Sequence, residues 1–120
     1  AVSPVPTGWR SGALRPPMAA EEIRMPAYIT LANFTEQGAR NVKDSPKRYE
    51  AFKSAAEAAG VSIKSVHWTT GAYDIVIVSE GTEDAVMALA LKTATLGNVR
   101  TQTLRGFTAA EMGKLVADLK

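Results

Sequence analysis

The run Tyr73-Asp74-Ile75-Val76-Ile77-Val78 is apolar on both of the faces that a strand presents. Side chains alternate across a strand, so one with a wet side alternates apolar with polar residues, and this run does not. The sheet that contains it must be covered twice. A chain of 120 residues has material for one core, so the second cover has to come from something other than a second domain.

The punctuation around this run sets the order of elements. Ala27–Phe34 (AYITLANF) reads as a strand, rich in aromatic and β-branched residues. Thr35 is placed to cap a helix over Glu36–Val42, and Ser45-Pro46 restarts it with a second N-cap and a proline in the first turn. Lys47–Ala59 then sets Tyr49, Phe52, Ala56 and Ala59 on one face, and Gly60 stops it. Val61–Thr69 and Ala72–Glu80 form two strands around Thr70-Gly71, a tight hairpin signal. Thr82 caps a helix with an apolar stripe of Ala85, Val86, Leu89, Ala90 and Leu96, with Met87 among its core-filling residues. Asn98–Phe107 is a fourth strand, and Thr108-Ala-Ala-Glu111 is a capping box that opens a last helix to Leu119, with Met112 as a further core filler.

The order β-α-β-β-α-β-α is the split βαβ pattern of an α+β, ferredoxin-like sandwich with a C-terminal helix. Two helices cover one side of its antiparallel sheet. A second copy of the sheet is the simplest cover for the other. Burying four such side chains contributes on the order of 6–12 kcal/mol before association costs, so we expect a homodimer joined through the sheet face, a dimeric α/β barrel.

Residues 1–24 form a separate segment. Pro4, Pro6, Pro16 and Pro17 and the absence of a sustained period give a proline-rich arm or leader, and 25–120 the folded domain. Trp9 and Leu14 could anchor such an arm on a protein partner. It lacks the basic start and apolar run of a secretory signal, so the expected location is cytoplasmic.

Several function classes fall away. Fourteen Lys and Arg against twelve Asp and Glu are too balanced for an electrostatic nucleic-acid binder. No stretch reaches the roughly 18 apolar residues that span a membrane. Without cysteine, and with His67 as the one histidine, no metal site or cofactor is expected.

What remains are candidate polar groups near the hairpin. With Thr70-Gly71 as a two-residue loop, Trp68 faces Tyr73 and His67 faces Asp74. Trp68, Tyr73, Val66 and Ile75 then share one face, and His67, Asp74, Ile63, Val76 and Val78 the other. His67 with Asp74 is either a general base with its orienting partner or a cross-strand pair that fixes the hairpin. Trp68 and Tyr73 are either core aromatics or a ligand platform. Asp74 needs a partner, and Arg100 or the backbone of a neighbouring turn would supply one. Arg40, Lys43, Lys47 and Arg48 cluster around the helix restart, as an anion contact or as a solvated face. Asn33 and Arg40 complete the candidate ligand contacts with Trp68, Tyr73 and Arg100.

Gly71-Ala72-Tyr73-Asp74 resembles the glycine–any–tyrosine–aspartate signature of the GYD domain family. The segments Asn33–Gly38, Asn41–Arg48 and Leu96–Arg105 are similar to that family in the same order, so the resemblance covers roughly residues 25–119. It implies the ferredoxin-like fold and the dimer, and it brings no catalytic residues. Three functions stay open. One is a non-catalytic oligomeric module that binds a small ligand or a protein at the dimer cleft. Another is a cofactor-independent oxygenase or isomerase with His67 as base in a closed pocket. The last is a structural subunit tethered to a larger assembly by residues 1–24.

Overall fold

The computed structural model describes residues 25–119. The proline-rich segment 1–24, with Trp9, Leu14 and any tethering role, lies outside the described residues. Strand β1 (Ala27–Phe34) leads to a short helix α1 (Glu36–Arg40), a 3-10 turn (Val42–Asp44) and helix α2 (Ser45–Ala58). Strands β2 (Ser62–Trp68) and β3 (Ile75–Glu80) follow, then α3 (Glu83–Thr95), β4 (Val99–Gly106) and α4 (Ala109–Ala117). The four strands form one antiparallel sheet in the order β2-β3-β1-β4. This is the expected ferredoxin-like α+β fold. The sheet of a single chain is open, not a closed barrel.

Local chemistry places the helix starts where the sequence does. Thr35, Thr82 and Thr108 each accept a hydrogen bond from the backbone amide three residues on, and Glu111 completes the capping box by accepting from the Thr108 amide at 2.8 Å. Ser45 is the exception. It is the first helical residue and not the cap, and Asp44 precedes it without a side-chain cap bond.

The core lies between the sheet and the helices α2 and α3. Ala56, Val61, Val86 and Leu89 are buried together, with Tyr28, Phe52 and Ile63 packed against them. A bulge between Ile63 and Ser65 explains why Ile63 joins this side. The two-faced alternation puts it opposite Val66, whereas the extra residue brings both to the helix side. Met87 and Met112, expected to fill the core, are 55% and 47% exposed instead. Met87 sits on the outer face of α3. Met112 belongs to α4, none of whose residues is buried.

Candidate functional site

Three of the segments that carry the family resemblance meet at one end of the sheet, where β1 ends and β4 begins. The Thr35 amide donates to the Asn98 carbonyl at 3.0 Å, and its hydroxyl donates to the Gly97 carbonyl at 2.6 Å. Gln37 donates from Nε2 to the Leu96 carbonyl and to Asn98 Oδ1. Gly38 lets α1 approach so closely that a Cβ there would stand 2.0 Å from the Asn98 carbonyl oxygen. The hairpin docks on the same corner. Asp74 Oδ2 accepts from the Phe34 amide at 2.9 Å, and the Asp74 amide donates to the Ala32 carbonyl at 2.9 Å. Its partner is thus the backbone at the end of β1, where the sequence suggested Arg100 or a neighbouring turn, and Arg100 makes no ion pair with it.

This docking changes the hairpin. Trp68 pairs with Ile75 and His67 with Val76, so the connection is the six residues 69–74 and not a two-residue loop. Gly71 has φ 108°, the left-handed conformation the turn needs, and the Thr69 amide closes the loop on the Asp74 carbonyl at 2.8 Å. His67 therefore does not face Asp74. Tyr73 leaves the strand and donates from its hydroxyl to Gln102 Oε1 at 3.1 Å, on the face opposite Trp68.

The far face of the sheet carries Ile29 and Leu31 from β1, Val76 and Val78 from β3, and Leu104 from β4, adjacent through their pairings. Helices α2 and α3 pack on the other face. The polar end of the far face brings together Asn33, opposite Arg100, with Tyr73 on Gln102 and His67 beside Val76. Arg40 is elsewhere, on α1, paired with Glu36 at 3.2 Å in solvent. The structure thus unites Asn33, Tyr73, Arg100 and His67 on the open face, uses Asp74 as a backbone anchor, and separates Trp68 and Arg40 from them.

Trp68 belongs to a cavity of about 400 Å³ on the other side, between the sheet and the helices. Phe34, Phe52, Val66, Ile77, Val86 and Leu89 line it, and Tyr49 meets Trp68 edge-on at 6.0 Å between ring centres. Short side chains open this space: Ala51 and Ala55 on α2, Ala90 on α3, and Ala32, Thr30, Thr101 and Thr103 on the sheet. The space is partly open to solvent, and its size and largely apolar lining are those of a small-molecule site. His67 is not among its lining residues.

Arg48 and Lys92 also line the cavity, and no carboxylate does. Arg48 is half-buried and donates from Nη1 to the Asn41 carbonyl at 3.0 Å and from Nη2 to Ser45 Oγ at 3.4 Å. Sequence reasoning placed it in a basic cluster and missed the cavity. The signal available was the alanine spacing at 51, 55 and 90 opposite threonines in the strands. Among the described residues no group of three or more His, Asp or Glu side chains converges as a metal site would require, and no helix is long and apolar enough to cross a membrane.

A protein-family model described as GYD domain matches residues 28–116. A protein of Thermus thermophilus named glutamine synthetase and cystathionine beta-lyase binding protein is 34% identical over 98 residues, which span 80% of this chain and 100% of that relative.

Proposed function

This chain belongs to the GYD domain family, and from that premise we propose that it is a protein-binding module: two copies join through the open face of the sheet, and the dimer binds a partner protein. One observation carries the reading. Ile29, Leu31, Val76 and Val78, each half-buried, and Leu104, 41% exposed, form a contiguous apolar surface on the face of the sheet away from α2 and α3. Exposed apolar patches of this kind mark interfaces, and a flat, self-complementary sheet face suits a twofold pairing. The relative's name, a binding protein for glutamine synthetase and cystathionine beta-lyase, supports a protein as the further partner.

The surface offered to that partner is α4. Its stripe of Met112, Leu115 and Val116 stands about half exposed, and Phe107 and Leu119 extend it at either end. The dimer is proposed to act in the cytoplasm.

Light scattering behind a sizing column, together with retention on immobilised glutamine synthetase, tests the reading. The full chain is expected to run at twice its own mass and to be retained. Val76→Glu should return the mass to that of one chain, and Leu115→Glu should abolish retention while leaving the mass doubled. A chain that stays monomeric at hundreds of micromolar overturns the sheet-face interface. Passage of the dimer unretained over both glutamine synthetase and cystathionine beta-lyase overturns the partner.

A further inference from the structure

We propose that the cavity between the sheet and the helices is a second, independent binding site, and that its ligand is an apolar monoanion: an aryl or alkyl carboxylate of roughly 15 non-hydrogen atoms. The size follows from the volume. A cavity of ~150 Å³ holds benzene, and this one is about 400 Å³. The apolar body follows from the walls, where Phe52, Val66, Ile77 and Leu89 present side chains from both layers.

The charge follows from Arg48. Two of the five guanidinium N–H groups are held by the Asn41 carbonyl and Ser45 Oγ, which fix the group in place, and three remain. No carboxylate of the described residues lies within ion-pair distance of it, and none lines the cavity. A half-buried, oriented guanidinium with donors to spare beside an apolar space is a receptor for a carboxylate. Lys92 adds a second positive charge to the lining. Arg48 and Ser45 lie at the end of the cavity where β1 stops, so the carboxylate sits there and the apolar body runs toward Leu89 and Val86 under α3. The site lies on the opposite side of the sheet from the proposed dimer interface, and neither proposal depends on the other.

Trp68 reports on this site directly. In the 120-residue chain carrying Trp9→Phe, which leaves Trp68 as its sole tryptophan, dodecanoate should change the emission saturably, and dodecanol should bind about 10-fold more weakly or worse. Arg48→Gln should weaken dodecanoate by about 10- to 100-fold, the range for loss of a charge-assisted hydrogen bond, with little change for dodecanol. Arg48→Lys, which keeps the charge but not the fork held by Asn41 and Ser45, should recover only part of that loss. Methyl NMR of the same protein should show dodecanoate shifting Ile77 and Leu89. Several results overturn the proposal: no saturable change with dodecanoate, equal affinity for the alcohol, indifference to Arg48→Gln, or methyl shifts confined to Ile29, Leu31 and Val78 on the open face.

Discussion

Gly38 is buried against the Asn98 carbonyl, a backbone atom that cannot swing aside as a side chain would. Gly38→Ala should therefore destabilise the fold by about 1–3 kcal/mol, read as a lower midpoint in urea at constant slope. Asp74 gives a second test. If its role is to accept the Phe34 amide, Asp74→Ala costs about 1–3 kcal/mol by leaving that donor unpaired, and Asp74→Asn, which keeps an acceptor, costs less than half of that. Equal losses for the two variants would show that the charge itself matters. The turn chemistry of this region was legible in the sequence, since Gly71 does take positive φ. Its register was not. The Asp74 amide and carboxylate are both spent on β1, which pulls the chain out of the hairpin two residues early and turns Tyr73 to the other face. A hairpin rule that considers only the two strands it joins has no access to that third strand.

Element boundaries were easiest to read where a threonine caps a helix, because the signal is local. Thr35, Thr82 and Thr108 all cap as their spacing predicts. Packing was harder. Met112 of α4 reads as core in the sequence, yet α4 buries no residue. Its start is tied down by Arg105, whose guanidinium lies 4.3 Å from the centre of the Phe107 ring and 6.0 Å from that of Tyr28. The capping box then holds the first turn of the helix. Thr108→Ala should then speed hydrogen exchange of the α4 amides by about 2- to 30-fold, the equivalent of ~0.5–2 kcal/mol, while the urea midpoint of the sheet stays unchanged. A matching loss of global stability would mean that α4 is docked. The cavity escaped sequence reading for a related reason. Alanines on a helix face look like good packing until the residues opposite prove to be equally short.

For the whole molecule, the α+β class, the antiparallel sheet and its layer of two helices were legible from element order alone, because that order admits few topologies. What covers the second face was not, since element order says nothing about contacts beyond the chain. If two copies cover it for each other, stability must depend on concentration. The apparent Tm of the full chain should rise with protein concentration over a range from one to a hundred micromolar, and Val76→Glu should abolish that dependence and lower the Tm at the top of the range. A Tm that is flat with concentration would leave the face wet and the interface without support.

The strand order has one more consequence, for how the chain is made. Of the described strands β1 is synthesised first, yet it ends in the middle of the sheet between β3 and β4. Its partner along one edge arrives last: Thr30 meets Thr103 across 73 positions of chain. On a ribosome this strand must wait, with one hydrogen-bonding edge bare until β3 has emerged and the other until β4 has. Refolding in the test tube faces the same delay, since the largest loop has to close before β1 gains its β4 neighbour. The interval is when a stray chain can pair with those edges, so yield during expression should depend on synthesis temperature and chaperone supply more steeply than the finished protein's stability suggests.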